Sequence, residues 1–231
     1  MGQDSARPPS INASFRDLTI SVHHFAEALS AAVDIKDQYT HNHSEEVAVV
    51  SLLIARAIGL DEASCTAVHI AGHLHDLGKI GVSDQVLQKE GPLTSSEWEE
   101  MRKHPIHGYN ILHKIPGLTS TNGIAEMVLC HHERFGGGGY PNGLQGKDIP
   151  LGGRILAVAD TISAMTGQRS YRSSRPWHAV VDEIKRVSGT QLDPFVVEAF
   201  FRVDEQIHDW LLGEEDTPRE ATSETWCPCV S

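Results

Sequence analysis

Apolar residues recur at helical spacing along most of the chain. Between Phe15 and about Ile35 they predict an amphipathic helix, with an apolar face made of Leu18, Val22, Phe25, Leu29 and Val33. A second helix is predicted from Ser44 to Ile58, with Gly59 as its stop. No apolar–polar alternation of useful length predicts a β-strand. The pattern therefore predicts an all-α fold.

Capping residues predict where several further helices begin. Asp61 can cap a third helix that ends near Leu77-Gly78. Thr94 and Glu97 have the spacing of a capping box, which predicts a helix to about residue 103. Proline at a first helical position and the apolar period predict the remaining helices, at 104–114, 121–134 and 151–166 and from Pro176 and Pro194 onward.

Composition separates a helical body from polar ends. Residues 1–13 are polar and contain proline, and they are predicted to be disordered. Residues 14–36 form the predicted N-terminal helix, and residues 37–206 form the main domain. Residues 207–231 become acidic and rich in serine and threonine, so we expect a disordered C-terminal tail.

The charge balance restricts the class of ligand. The net charge is −12, which argues against a nucleic-acid polymer or a membrane surface as partner. An anionic ligand would need a local positive site. The stretch from Val47 to Leu60 is too short and too interrupted to span a bilayer, and the N-terminus lacks an apolar signal core. We therefore expect a cytoplasmic protein.

Histidine is unusually abundant, with 14 residues in the chain. Five imidazoles and two carboxylates lie within or beside predicted helices, and a helical bundle can direct such side chains into one cavity. Histidine with carboxylate suits iron, manganese, zinc or nickel, and the absence of thiolate argues against a structural zinc site. The predicted metal ligands are His43, His75, Asp76, His104, His131, His132 and Asp160.

Seven ligands are too many for one tetrahedral ion and suit two ions that share a bridging group. Asp76 is the predicted bridge, because the adjacent His75 can reach one ion while the carboxylate spans both. Such a pair activates a bridging water and clamps a phosphoryl group. Lys79 and Arg134 would add positive charge for an anionic substrate.

Each of these residues also has a structural interpretation. An isolated histidine–aspartate dipeptide is usually a surface pair. The charge of Lys79 could serve merely to neutralise the C-terminal end of a helix. A supporting or core role is predicted for His69 and His73. The remaining histidines, His23 and His24 among them, are predicted to lie mostly on solvated faces or at helix ends.

Three motifs appear in a fixed order: HLHDLGKIGVSD at 73–84, HHERFGGGGYP at 131–141 and RILAVADTISAM at 154–165. The chain from about residue 37 to about residue 200 resembles the HD-GYP family, a subgroup of the HD metal-dependent phosphohydrolases. The resemblance implies an all-α domain with two or three metals, typically iron or manganese. It also implies hydrolysis of the bacterial second messenger cyclic di-GMP to pGpG, and sometimes onward to GMP.

The resemblance extends to individual residues. The seven predicted ligands match the family's metal-binding pattern, and Lys79 matches a lysine thought to contact phosphate. Arg169 and Arg172 match basic positions that contact ligand phosphate or guanine. Gly139, Tyr140 and Pro141 form the triplet that gives the family its name, so the predicted substrate-binding residues are Lys79, Arg134, Gly139, Tyr140, Arg169 and Arg172.

Two positions depart from the family pattern. Members with a third metal carry a glutamate four residues before the first histidine ligand, where this chain has Tyr39. A two-metal centre and pGpG as main product are therefore expected. The family usually has an acid where this chain has Gly136, and its loss could loosen the loop or shift the substrate. The glycine run at 136–139 either brings backbone amides close to a dinucleotide or forms only a flexible turn.

The resulting prediction is a phosphodiesterase that uses Asp76 and Lys79 as catalytic residues. A hydroxide bridging two divalent ions would attack the phosphorus of cyclic di-GMP. Iron or manganese is expected, with zinc, nickel or magnesium as alternatives. The rival hypotheses are a catalytically weak or inactive cyclic di-GMP receptor, and an HD phosphohydrolase for another cyclic dinucleotide or nucleotide. The N-terminal helix could form a homodimer or contact a signalling partner.

Overall fold

The computed structural model describes residues 22–37, 42–120, 123–167 and 175–213. These ranges contain no β-strand, which confirms the predicted all-α fold. The α-helices, numbered α1 to α11 in chain order, are Val22–Lys36, His43–Ile58, Glu62–Leu74, Asp84–Leu87, Ser95–Met101, His104–Leu112, Ile124–Cys130, Leu151–Thr166, Trp177–Val187, Pro194–Phe201 and Asp204–Leu212.

Helix α2 lies at the centre of the bundle. It packs against α3 and α8, while α10 and α11 cover it from the C-terminal side. Its Val47, Val50 and Ile54 are fully buried, and so are Leu156 of α8 and Phe200 of α10. Because α2 is covered on most sides, ten of its residues are buried, far more than one amphipathic stripe requires.

Several helix ends follow from the predicted caps. The Asp61 carboxylate accepts a hydrogen bond from the Ser64 amide at 2.8 Å, and Thr94 and Glu97 form the predicted capping box. Gly59 ends α2 in the left-handed region, with φ of 90°. These local signals are set by chemistry within one helical turn, so sequence alone identifies them.

The third helix ends earlier than predicted, at Leu74, and a 3-10 helix follows at Leu77–Gly81. A Cβ at Gly78 would lie 1.8 Å from the carbonyl oxygen of His104. The backbone of the 3-10 helix therefore touches α6 directly, and only glycine allows that approach. Lys36 at the end of α1 also holds this segment, donating to the carbonyls of Ile80 at 2.9 Å and Val82 at 2.6 Å.

Helix α1 buries a different face from the predicted one. Its buried residues are His23, Ala26, Ser30 and Val33. Val22 and Phe25, assigned to the apolar face, are 56% and 49% exposed. The predicted face is therefore wrong at these two positions, and so is the expectation that His23 is solvated. The cause is packing against α3. The face of α1 that meets α3 carries the small residues Ala26 and Ser30, and its His23 stacks on His69 of α3.

The ends of the chain test the domain boundaries only in part. Helix α11 crosses the predicted boundary at 206/207 and buries Ile207 and Leu211, so residues 207–212 are helical rather than a disordered tail. Residues 1–13 and 214–231 lie outside the described residues. Within the described ranges, no helix combines the length and the apolar character needed to cross a bilayer.

Candidate metal centre

The seven predicted metal ligands converge from five separate places along the chain. His43 begins α2, His104 begins α6, and Asp160 lies in α8, while the His75-Asp76 and His131-His132 pairs follow α3 and α7. Six of them form two groups of three, and within each group the ligand atoms lie within 4.8 Å of one another. We call these groups the first trio, which is His43, His75 and Asp160, and the second trio, which is His104, His131 and His132.

Asp76 lies between the two trios. Its Oδ2 is 3.3 Å from the Nε2 of His75 and 3.8 Å from the Nε2 of His43. Its Oδ1 is 3.3 Å from the Nε2 of His104. Each oxygen of the carboxylate therefore faces a different trio, which is the geometry that a bridging ligand requires. Asp160 belongs to one side only, with its Oδ1 3.3 Å from the Nε2 of His43.

Backbone carbonyls fix the orientation of three imidazoles. The Nδ1 of His75 donates to the Gly72 carbonyl at 2.7 Å, and the Nδ1 of His131 donates to the Val128 carbonyl at 2.6 Å. His104 makes the same type of bond to the carbonyl three residues before it. A proton on Nδ1 leaves the Nε2 lone pair directed into the centre.

A buried nitrogen without a partner indicates that the centre suits a metal ion. The Nε2 of His75 is buried, and within the described part of the chain no contact to it, the Asp76 Oδ2 at 3.3 Å included, has the geometry of a hydrogen bond. The Nε2 atoms of His104 and His131 lie only 3.3 Å apart, although both carry lone pairs when Nδ1 is protonated. A cation between these nitrogens would satisfy atoms that otherwise cost desolvation energy, so the donor set fits divalent metals.

A side-chain relay orients the fourth imidazole. The Nδ1 of His43 lies 2.8 Å from the hydroxyl of Ser163, which donates to the Glu46 carboxylate at 2.5 Å. With the hydroxyl proton committed to Glu46, the serine oxygen accepts from His43. In the neutral form that binds metal, Nε2 is then the nitrogen of His43 without a proton, and it faces Asp76 and Asp160. Ser163 and Glu46, which lie 117 positions apart, are not among the residues predicted from the sequence.

Lys79 lies inside the centre as part of an ion-pair network. Its ammonium is 2.7 Å from the Oδ2 of Asp76 and 2.8 Å from the Oδ2 of Asp37. Burial disfavours the charged amine, but the two carboxylates outweigh burial and raise the pKa of Lys79. Asp37, which is 4% exposed, was not among the predicted site residues. Lys79 therefore does more than neutralise a helix end.

The protonation states of four of these side chains suit metal binding. Burial lowers the pKa of His104 to about 3 and the pKa of His132 to about 4, so both imidazoles are neutral near pH 7. Burial opposes the charged form of Asp76, but Lys79 and His75 lower its pKa well below the ordinary value. Burial likewise opposes the charge on Asp160, and its hydrogen bond to His43 lowers the pKa. Neutral imidazole and ionised carboxylate are the forms that bind metal.

Backbone hydrogen bonds fix the start of the loop that contains the glycine run after His132. The amides of Phe135 and Gly136 donate to the carbonyls of Gln191 at 3.0 Å and Thr190 at 2.7 Å. A Cβ at Gly136 would lie 2.8 Å from the Thr190 oxygen, so this position is closed to larger residues. The missing acid therefore does not loosen the backbone here.

The other three positions of the run require glycine for different structural reasons. The next two adopt positive φ, 91° at Gly137 and 78° at Gly138, which glycine allows at low cost. A Cβ at Gly139 would meet the Arg134 amide nitrogen at 2.3 Å, so the loop closes on itself there. The Tyr140–Pro141 peptide bond that ends the loop is cis.

The loop places aromatic and acidic side chains beside the second trio. Tyr140 stacks on His132 with ring centroids 4.9 Å apart, and the Arg102 guanidinium lies 5.2 Å from the Tyr140 ring centroid. Burial raises the pKa of Tyr140, and Asp160 and Asp76 raise it further. The buried Glu133 accepts a hydrogen bond from the Asn142 amide at 2.7 Å, which ties the two ends of the loop together.

The predicted substrate-binding residues are only partly placed. Tyr140 and Lys79 lie at the centre, Gly139 lies in the closing turn, and Arg134 is exposed on the loop. Arg169, Arg172 and Tyr39 fall outside the described residues. Arg102, which sequence analysis did not select, is the cation that contacts Tyr140.

The described part of the chain is thus a helical bundle with two groups of side chains that could hold metal ions. A family profile described as HD domain matches residues 27–196. This chain therefore belongs to the HD domain family, as the sequence motifs predicted.

Curated relatives agree with this assignment. A cyclic di-GMP phosphodiesterase of Thermotoga maritima is 40% identical over 82% of this chain and 51% of that protein. The cyclic di-GMP phosphodiesterase response regulator RpfG of Xanthomonas campestris is 37% identical, over 82% and 50%. The 3′3′-cGAMP-specific phosphodiesterase 3 of Vibrio cholerae is 37% identical, over 82% and 40%. The chain thus spans about half or less of these relatives.

Solved structures share the fold at low sequence identity. A cyclic GMP-AMP specific phosphodiesterase of V. cholerae is 16% identical with a TM-score of 0.66, over 90% of this chain and 53% of that one. The HD domain of the Listeria monocytogenes phosphodiesterase PgpH, solved in complex with cyclic di-AMP, is 15% identical with a TM-score of 0.57. The match covers 81% of this chain and 98% of that domain. These likenesses support the helical architecture.

Proposed function

We propose that this chain is a metal-dependent phosphodiesterase that hydrolyses cyclic di-GMP, mainly to pGpG. The observation that carries the proposal is the position of Asp76, whose two oxygens face the two different trios. The relatives named as cyclic di-GMP phosphodiesterases, at 40% and 37% identity, support the choice of substrate.

The cofactor is proposed to be a pair of divalent ions, iron or manganese. The first trio would hold one ion and the second trio the other, with Asp76 shared between them. Two such ions supply Lewis acidity and a nucleophile at neutral pH for displacement at phosphorus. The imidazole and carboxylate donors support these metals, and zinc, nickel and magnesium are the alternatives that metal analysis would separate.

The side chains of the centre prepare a local site for an anion in an acidic protein. Lys79 neutralises charge from Asp76 and Asp37, so two bound ions would retain much of their positive charge towards a phosphate. Tyr140, held protonated by burial, can donate a hydrogen bond to the substrate beside His132. Arg102 over the Tyr140 ring adds a cation at the same edge.

Two alternatives have specific support. The V. cholerae relative named as a 3′3′-cGAMP-specific phosphodiesterase, at 37% identity, supports a mixed-purine cyclic dinucleotide as substrate. The glycine at position 136, where the family pattern has an acid, supports a receptor that binds the ligand without hydrolysis. In both alternatives the ligand is a cyclic dinucleotide. The first differs from the main proposal in the bases of the ligand, and the second in that the ligand is not hydrolysed.

One experiment separates these proposals. Purified protein is analysed for metal content, loaded with Fe²⁺ or Mn²⁺, and incubated with cyclic di-GMP and 3′3′-cGAMP in parallel before product chromatography. We expect pGpG to accumulate faster than the cGAMP product. Intact ligand recovered from metal-replete protein would establish the receptor, and preferential cGAMP turnover would establish the other substrate.

A variant pair tests the role of Asp76 in the same assay. Asp76→Ala should lose both metal loading and turnover, because it removes the carboxylate that lies between the two trios. Asp182→Ala, an exposed aspartate on α9, is the matched control and should behave as wild type. Near-normal hydrolysis by Asp76→Ala would overturn the proposed centre.

The N-terminal helix is proposed to contact a second copy or a signalling partner. Three apolar side chains on α1 support this role: Val22, Phe25 and Ile35 are 56%, 49% and 80% exposed. Sedimentation of wild type and Phe25→Ser tests self-association. A monomer at high concentration would argue against the homodimer.

A further inference from the structure

Three other histidines form a buried cluster on helices α1 and α3. His23 comes from α1, and His69 and His73 are one turn apart on α3. All three are buried, and one ring nitrogen of each lies within 4.8 Å of the others. We call this group the α1–α3 histidine cluster. None of its members belongs to either trio.

The cluster is directed away from the two-trio centre. His73 and His75 are two residues apart where α3 ends, and two residues rotate a helix by roughly 200°. His73 therefore points to the side of α3 that faces α1, while His75 points into the centre. The rings of His23 and His73 are 5.4 Å apart, and those of His69 and His73 are 4.8 Å apart.

One hydrogen bond determines which nitrogen of His69 carries the proton. The Nδ1 of His69 donates to the Ala48 carbonyl at 3.1 Å, so its Nε2 holds a lone pair. That Nε2 lies 2.9 Å from the Nε2 of His23. Burial also lowers the pKa of His69 to about 4, which keeps the imidazole neutral. A neutral ring with Nε2 free of a proton is the form that binds metal.

The arrangement without a metal leaves buried nitrogens unsatisfied. If His23 donates from Nε2 to His69, its own Nδ1 becomes an acceptor. That Nδ1 is buried and has no hydrogen-bond partner among the described residues, and the same holds for the Nδ1 of His73. A Glu27 carboxylate oxygen lies 3.6 Å from the Nδ1 of His23, and it is also an acceptor. Two buried ring nitrogens without hydrogen-bond partners cost desolvation energy.

A cation at the cluster resolves this conflict. With a cation at the two Nε2 atoms, the proton of His23 moves to Nδ1 and faces Glu27. Carboxylate, histidine and metal then stand in the order typical of metal sites. Glu27, whose side chain is 38% exposed, lies at the solvent edge of the cluster.

We propose that His23, His69 and His73 bind one divalent ion of the zinc type, with Glu27 orienting His23. Three imidazoles with a water in the fourth position are a known tetrahedral zinc arrangement. The ion would join α1 to α3. The proposal does not depend on the phosphodiesterase activity or on loading of the two trios.

The test is a comparison of zinc stoichiometry by equilibrium dialysis of metal-free full-length chain. His23→Gln should bind one equivalent of Zn²⁺ fewer than wild type, whatever number the two trios contribute. His178→Gln, an exposed histidine on α9, is the control and should bind as many equivalents as wild type. Because the readout is a difference of one, it remains valid if the two-trio centre fails to load.

Glu27→Gln gives a second test at a partly exposed position. It should keep the stoichiometry and weaken the affinity of one equivalent about tenfold or more. Equal stoichiometry in wild type and His23→Gln overturns the site. Should His23→Gln not fold by circular dichroism, unchanged zinc affinity in Glu27→Gln overturns it instead.

Discussion

The ammonium of Lys79 lies 2.7 Å from the Oδ2 of Asp76, the same oxygen that faces the first trio. Asp37 holds the ammonium from another direction at 2.8 Å. The bridging carboxylate is thus paired with a fixed cation inside the centre. Lys79 has two effects there, since it keeps Asp76 ionised and also opposes the approach of further cations.

Replacing Lys79 by methionine should destabilise the metal-free protein. Two buried carboxylates then face each other without a counter-charge, which costs about 3–5 kcal/mol when one partner of a buried pair is removed. Added Mn²⁺ should raise the melting temperature more in Lys79→Met than in wild type, because the ion supplies the missing charge. Thermal unfolding with and without Mn²⁺ measures both effects.

Lys89→Met is the matched control for this variant. Lys89 pairs with Glu97 at 2.6 Å on the surface, where water screens the interaction, so its loss should change the melting temperature little. Equal destabilisation by the two variants would contradict the buried-pair argument for Lys79.

Ser163→Ala should weaken metal binding while leaving the fold intact. The serine oxygen is the acceptor that fixes the His43 tautomer, and loss of such a partner lowers metal affinity about 10–100-fold. Mn²⁺ titration of the metal-free protein checks this value. Thr161→Ala, which removes a hydroxyl bonded within the same helix, is the control. An unchanged affinity in Ser163→Ala would show that His43 is oriented by other contacts.

Sequence predicted the residues that converge in the centre, and most of them stand beside a helix end with a recognisable signal. His104 precedes the proline that starts α6, and His43 begins the apolar period of α2. The partners of these ligands are harder to predict. Asp37 meets Lys79 across 42 positions, and no local period identifies such a pairing.

The face of α1 shows the limit of hydrophobic periodicity. Val22 and Phe25 fit the helical period, yet the structure exposes them and buries His23. The buried face of α1 is determined by α3, whose His69 and His73 contact His23. A pattern within one helix cannot report which residues its neighbour offers, so a buried histidine was assigned to the surface.

The metal-free protein should lose stability as the pH falls from about 6.5 towards 4. The pKa of His69 and that of His132 are lowered from 6.5 to about 4 in the folded chain. Below pH 6.5 the unfolded chain takes up protons that the folded chain does not, so unfolding becomes easier. Each such group contributes about 1.4 kcal/mol per pH unit in this window. His75, whose pKa is raised, contributes stability that is fully present below pH 6.5 and is lost as the pH rises above it, so it does not change this slope.

Urea unfolding of chelator-treated protein at several pH values measures this slope. His69→Gln should make it shallower by up to one proton, because the variant removes one of the lowered pKa values. A free energy of unfolding that does not change between pH 6.5 and 4.5 would show that the buried imidazoles are already charged in the folded chain.

Gly136→Asp, which restores the acid of the family pattern, should destabilise this chain without raising its activity. The new Cβ would lie 2.8 Å from the Thr190 oxygen, which already accepts the Gly136 amide. Forcing extra volume into such a contact costs about 1–3 kcal/mol. Gly138→Asn is the control, because that site has positive φ and open space and asparagine tolerates the left-handed region. Faster hydrolysis by Gly136→Asp at an unchanged melting temperature would contradict this prediction. It would mean that glycine at position 136 lowers the activity of this chain, which favours the receptor hypothesis.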